Sequence, residues 1–268
     1  MKRSFFFFFL LLIPFSLRAQ SVWRPLFGSF LEPNRFTTLY DSDPRRLRIE
    51  AGYGTEFLRF TNVDIGAECF IWSGLKTESD FRFPVETADY FFGLNAVIQQ
   101  FPYPVLVSRI RLSHISSHLV DGTQDSIFGG SSSHYSREFI SFESEYIPFA
   151  GELPLRVSAG IKFVFHQVTK VEPIVQFPIT IECTAMRWFS VAKDAALKGG
   201  EVFLSAGTAG GPQYPLFTGS LVLRLQPGAQ TATDFYVQYY NGDTKYGVEG
   251  DTKRSGFEFG LRLASISF

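Results

Sequence analysis

Oily and polar residues alternate along this chain in short, regular runs. Val157, Ala159, Ile161, Phe163 and Phe165 interleave with Ser158, Gly160, Lys162, Val164 and His166. Val175, Phe177, Ile179, Ile181, Cys183 and Ala185 do the same around Gln176, Thr180, Glu182 and Thr184. Successive side chains of a strand point to opposite faces, so each run has one greasy side and one largely wet side. Hydrocarbon offers no hydrogen-bond partner to a bare peptide group, which leaves the apolar helix and the closed barrel as spanning structures. No long apolar helix can be drawn beyond the first residues. The pattern specifies an all-β chain, a transmembrane antiparallel up-and-down β-barrel of the outer-membrane kind.

The first residues follow a different rule. Lys2 and Arg3 precede an apolar block from Phe5 to Phe15, interrupted by Pro14, and Ser16-Leu17-Arg18-Ala19 supplies a small residue for cleavage. The block is too short to cross a bilayer as a helix, so residues 1–19 are expected to be a secretory signal peptide. Gln20, not a cysteine, stands directly after the expected cleavage site, which argues against a lipoprotein. The formal net charge is −1, and removing Lys2, Arg3 and Arg18 makes the exported chain more acidic. Such a chain is poorly suited to neutralising phosphates, and no nucleic-acid partner is expected. Aromatic content of 17% against 19% charged residues suits a lipid-facing band with aromatic girdles.

Twelve strand runs can be drawn, at 45–54, 56–61, 63–74, 88–100, 105–118, 135–147, 154–166, 174–187, 201–208, 216–226, 232–240 and 255–268. Gly52-Tyr53-Gly54-Thr55 reads either as a turn or as a kink inside one strand, so about 12 strands are expected, with ten possible. With both termini periplasmic, the long polar connections at 75–87, 119–134 and 241–254 fall outside. Pro102-Tyr103-Pro104, Gly151-Glu152 and Pro227-Gly228 then make short inner turns, the usual asymmetry of such barrels. The connection at 188–200 is longer than that rule favours. Trp23 to Pro44 lacks periodicity and contains Pro25, Pro33 and Asn34, so residues 20–44 are expected to be a periplasmic extension or partial plug, with the barrel at 45–268. In the last run Phe257, Phe259, Leu261 and Leu263 share one parity and Ile266 and Phe268 the other, which suggests a bulge near Ala264.

Sending the apolar parity outward points Arg109, Arg111, Glu143, Glu145, Arg156, Lys162, Glu182 and Arg224 inward. Both signs occur on neighbouring strands, so an interior ion-pair lattice is expected, tolerable in a polar lumen. Cys69 and Cys183 lie on distant segments and point outward, which makes a disulfide improbable. The acidic loop residues Glu78, Asp80, Asp121, Asp125, Asp243, Glu249 and Asp251 have no calcium-loop spacing and read as solvated loops. No metal and no cofactor is expected.

One block carries possible chemistry. It runs Arg109-Ile110-Arg111-Leu112-Ser113-His114-Ile115-Ser116-Ser117-His118, then Leu119-Val120-Asp121, and after a loop His134-Tyr135-Ser136-Arg137-Glu138. Ile110, Leu112, His114, Ser116 and His118 share a lipid-facing parity, and Glu138 shares that of Ile140 and Phe142. A serine hydroxyl needs a base to become a nucleophile, and the base needs a third group to orient it. Ser116, His114 and Glu138, or Asp121 in place of Glu138, could fill those roles for an ester bond in a lipid. The plainer reading is a polar rim that meets headgroups and water, with His114 and His118 paired to Asp121, Glu138 or lipopolysaccharide phosphates. His166 is expected to be interfacial and without a partner.

The spacing His114-x-Ser116 resembles the motif of outer-membrane phospholipase A and of the lipid A deacylases, whose active residues also sit on the outer face. The resemblance implies a nucleophilic Ser116 with His114 as base. Those enzymes continue with Asn where this chain has Ser117, and the phospholipase uses Asn as its third member, for which Glu138 is a deacylase-like substitute. A broader likeness covers most of the exported chain. Glu86-Thr87-Ala88-Asp89-Tyr90-Phe91-Phe92-Gly93, Arg109 to Asp121, Tyr135-Ser136-Arg137-Glu138 and Tyr239-Tyr240-Asn241-Gly242 resemble an uncharacterised bacterial outer-membrane barrel family. Its motifs are A-D-Y-x-F-G, R-x-R-L-x-H-x-S-S-H-x-x-D and Y-S-R-E, and they mark Arg109, Arg111, Ser117, His118, Asp121, Ser136 and Arg137 as candidate binding or motif residues. Here Gly122 stands where that family has an acidic residue. The family implies a barrel and an envelope address, and no activity. The terminal Phe268 resembles the aromatic end that barrel-assembly machinery recognises.

Three functions fit these features. The first is an envelope barrel with a structural or lipid- and surface-interacting role, its partners outer-membrane lipid and lipopolysaccharide. The alternative is an outer-leaflet lipid esterase using Ser116, His114 and Glu138. The third is a narrow solute channel, for which the sequence offers no single-sign ring of charge.

Overall fold

A computed structural model describes residues 35–41, 46–76, 82–99, 106–120, 134–146, 155–168, 174–189, 199–211, 214–226, 231–243 and 253–265. The leader, the stretch 20–34, Asp121 and Phe268 lie outside the described residues. The strands are β1 (Arg35–Asp41), β2 (Arg46–Arg59), β3 (Val63–Lys76), β4 (Val85–Gln99), β5 (Leu106–Leu119), β6 (His134–Tyr146) and β7 (Leu155–Val168). They continue as β8 (Val175–Gln176), β9 (Ile179–Phe189), β10 (Gly199–Gly211), β11 (Tyr214–Gln226), β12 (Thr231–Asp243) and β13 (Lys253–Ser265). Each pairs antiparallel with its neighbours, and β1 pairs with both β2 and β13, so the sheet closes on itself without an edge. β8 and β9 are two halves of one barrel strand. Both pair with β7 in a single register, Phe163 to Val175 and Ala159 to Ile179. Pro178, which has no N–H to give, interrupts them, while its carbonyl still accepts from the Gly160 amide at 2.9 Å. The result is a 12-strand up-and-down barrel.

The count agrees with the sequence reading, but two assignments behind it do not. β2 runs unbroken through Gly52-Tyr53-Gly54-Thr55, where a turn was one option, so 56–61 is no separate strand. Gly52 pairs with Phe70, whose ring occupies the space a Cβ at residue 52 would need. The glycine marks a close ring approach and not a reversal. The irregularity sits lower, as a register shift between Glu56 and Leu58. The barrel begins at Arg35, not at residue 45, because β1 closes the wall between β2 and β13. This seven-residue strand lies between Pro33 and Pro44 and is too short to show a clear alternation. β13 keeps one register with β12 through Ser265, and Ile266 and Phe268, on which the expected bulge near Ala264 turns, lie outside the described residues.

The two faces of the wall differ as the alternation requires. Leu94, Leu112, Ile140, Phe163, Phe235, Phe257 and Phe259 stand exposed on the outside, forming a lipid-facing belt. Cys69 and Cys183 are exposed free thiols on the same surface. All eight residues expected inward do point there. Arg109 bonds Glu143 at 2.7 Å and lies 3.7 Å from Glu68, Arg111 pairs with Glu68 and Glu143, and Arg156 bridges Glu145 and Glu182. On the far side Arg224 grips Asp234 with two bonds, 2.7 and 3.0 Å, and Arg262 holds the same carboxylate. Aromatic rings fill the gaps. Arg111 stacks over Phe91, Lys162 over Phe139 and Arg224 over Phe203. Most of these inner residues are buried, so side chains fill the described interior.

Candidate active site on the outer wall

Strand register builds the site. Phe92, His114, Glu138 and His166 form one lateral row across β4, β5, β6 and β7. The row beneath is Leu94, Leu112, Ile140 and Phe163, each exposed and apolar. The row above is Tyr90, Ser116, Ser136 and Val168, and beyond it His118 pairs with Ala88 and His134. The wall therefore changes from hydrocarbon to polar side chains within one step of the pleat. That step lies toward the barrel end where the long connection 120–133 leaves β5. Charge on the lipid face is costly at mid-depth and falls to about 0–1 kcal/mol near an interface. Position lets Glu138 exist here.

Within the row, His114 Nδ1 lies 2.8 Å from Glu138 Oε1. An ionised carboxylate only accepts, so the imidazole donates from Nδ1, and in the neutral ring Nε2 carries the lone pair. Ser116 stands two residues along the same strand on the same face, about 7 Å further up. Among the described residues neither His114 Nε2 nor the Ser116 hydroxyl has another side-chain partner. A carboxylate on Nδ1 with Nε2 left for a hydroxyl is the order in which a serine, a histidine and an acid cooperate.

The motif residues separate by face. His114, Ser116, Glu138, Ser136 and His118 lie on the outer wall, and His118 sits 6.1 Å from the Tyr90 ring, centroid to centroid. Arg109, Arg111, Ser117 and Arg137 point inward and are buried, so they serve the lattice and core. Asp121 lies outside the described residues, and Glu138 is the acid that meets His114.

His166 corrects the sequence reading in one respect. It is exposed, as an interfacial residue would be, but it does not lack a partner. In the structure its Nδ1 hydrogen-bonds Glu138 Oε2. The cause is a register shift: Glu138 pairs with His166 but Phe139 pairs with Val164, which makes Phe165 an extra residue on β7. Phe165 and His166 are consequently both exposed. A bulge of this kind leaves little trace in composition. The available hint is that Glu138 is the polar end of an otherwise apolar parity, beside a strand that ends in a histidine.

No protein-family model and no curated protein sequence matches this chain. Solved structures do. Outer membrane phospholipase A from Escherichia coli aligns with a TM-score of 0.57 at 12% identity, covering 93% of this chain and 96% of that one. An active-site mutant of the same enzyme aligns at 0.59 and 13%, with the same coverage. The outer membrane phospholipase of Salmonella typhi gives 0.54 and 12%, covering 91% of this chain and 96% of that one. At such identities the likeness establishes a shared fold, an outer-membrane-type barrel matched over nearly its whole length.

Proposed function

We propose that this protein is a lipid acyl-ester hydrolase of the bacterial outer membrane, exported by the leader at 1–19 and acting in the leaflet nearest its long loops. Ser116 is the nucleophile, His114 the general base and Glu138 the group that orients it. The observation that carries this reading is the Glu138 hydrogen bond to Nδ1 of His114, on a lipid-facing surface with Ser116 alongside. Acyl chains would lie against Leu94, Leu112 and Ile140, and the ester would reach the polar row just above them. Ser116 Oγ attacks the ester carbonyl while His114 Nε2 takes its proton. The alcohol leaves with that proton, and water, activated by the same imidazole, releases the fatty acid from the acyl-serine. Charged Glu138 stabilises the imidazolium formed at each step. Barrels of like shape are phospholipases; that supports the fold as a setting for such work, and the activity itself is argued from these three side chains. Lipids with ester-linked acyl chains are the substrate class, in phospholipid or lipid A.

The test is fatty-acid release from phospholipid and from lipid A in mixed micelles by purified, folded protein and its Ser116→Ala variant. Release by wild type that falls at least about a thousandfold in the variant is expected. Equal background release from both would leave an envelope barrel without catalysis.

A further inference from the structure

Glu138 is held from both sides. His114 donates to Oε1 and His166 to Oε2, so one carboxylate on β6 links imidazoles on β5 and β7. The chain departs from a regular ladder at the residue that makes this link. Without the extra Phe165, Glu138 would face Phe165, and His166 would point into the barrel beside Arg137. Above and below the row the neighbours on β7 are Val168 and Phe163, which have no hydrogen to donate from their side chains. Among the described residues the two histidines are the only side-chain partners of Glu138.

We propose that His166 is a positioning residue: its Nδ1–H fixes the second oxygen of Glu138, so that the first stays aimed at His114. The inference rests on the hydrolase reading of Ser116 and adds a member to that site. A glutamate has three rotatable bonds, and a single contact to His114 would let it swing or exchange its oxygens. A carboxylate that must steady an imidazolium works best when it is already in place, with no reorganisation during the reaction. A second fixed donor also replaces water that the neighbouring lipid excludes. His166 remains more exposed than its partners, its side chain 59% accessible against 41% for His114 and 29% for Glu138. It braces the site from the edge; it does not touch the ester.

Two substitutions test this. His166→Phe keeps a ring and removes the donor, whereas His166→Asn places an amide N–H near the position of Nδ1. Folding of each is checked by heat-modifiable gel mobility, and Ser116→Ala runs in parallel. The readouts are kcat and KM for fatty-acid release, and the rate at which a long-chain fluorophosphonate labels Ser116. His166→Phe should lower kcat about tenfold with KM nearly unchanged, and slow labelling by a similar factor. His166→Asn should return both to within about threefold of wild type. Wild-type kcat in His166→Phe, or His166→Asn as slow as His166→Phe, would overturn the positioning role while Ser116→Ala still shows hydrolysis to depend on the serine. Hydrolysis that survives Ser116→Ala would remove the hydrolase reading, and the role of His166 with it.

Discussion

Strands β5, β6 and β7 carry polar and charged groups on both faces, and the faces use them in opposite ways. Inside, Arg109 and Arg111 meet Glu68 and Glu143 in a space water scarcely enters. Each charge there is answered by another, and rings fill what remains. Outside, one carboxylate and two imidazoles interrupt an apolar wall, partly exposed, with Ser116 two residues from His114 on the same face of β5. Charge paired in a closed space pins a structure, whereas polarity at a boundary is available for chemistry. Residue type alone does not separate the two, since Glu138 and Glu143 belong to the same strand. Face and depth do.

The largest effects should separate the faces completely. Ser116→Ala should remove hydrolysis by a thousandfold or more, roughly, and leave the urea unfolding midpoint in micelles unchanged, because the side chain packs against nothing inside the barrel. Asp234→Asn should do the reverse. Arg224 and Arg262 share that carboxylate, and taking its charge from two buried guanidiniums should cost about 3–5 kcal/mol while specific activity of the folded fraction stays near wild type. Loss of activity per folded molecule in Asp234→Asn would show that the lattice also shapes the outer site, and the division proposed here would fail.

The division itself was largely legible in the sequence, because a period of two assigns every residue of a regular strand to a face. Arg109, Arg111, Glu145 and Lys162 fell inside on that rule alone, and His114, Ser116 and Glu138 fell outside together. What escaped were departures from the period. The extra Phe165 turned His166 outward, and Gly52 looked like a turn because its partner's ring cannot be seen from one strand. β1 escaped for a simpler reason: seven residues give too few alternations to count. The position of a bulge depends on what packs across the ladder, and that information is spread over two strands.

A smaller effect tests whether the wall between the faces tolerates bulk. Gly260 pairs with Tyr236, and a Cβ there would lie 2.5 Å from the ring carbon that bears the hydroxyl. Gly260→Val should displace that ring and cost about 1–3 kcal/mol in the same unfolding measurement, with hydrolysis by the folded protein unaffected. An unchanged midpoint would mean that the inner aromatic layer is looser than its burial indicates.

The smallest effect gives the sharpest comparison, because it concerns the next residue. Ser117 follows Ser116 but points inward, is wholly buried, and its hydroxyl has no hydrogen-bond partner among the described residues. Removing a buried, unanswered hydroxyl relieves a desolvation penalty, so Ser117→Ala should be neutral or stabilise by up to about 1 kcal/mol. Its kcat for fatty-acid release should match wild type. Two adjacent serines would then differ by three orders of magnitude or so in what their loss does to catalysis, solely because the pleat sends them to opposite faces. If Ser117→Ala instead abolished hydrolysis and Ser116→Ala spared it, the nucleophile would lie within the barrel, and the outer row would revert to a polar rim.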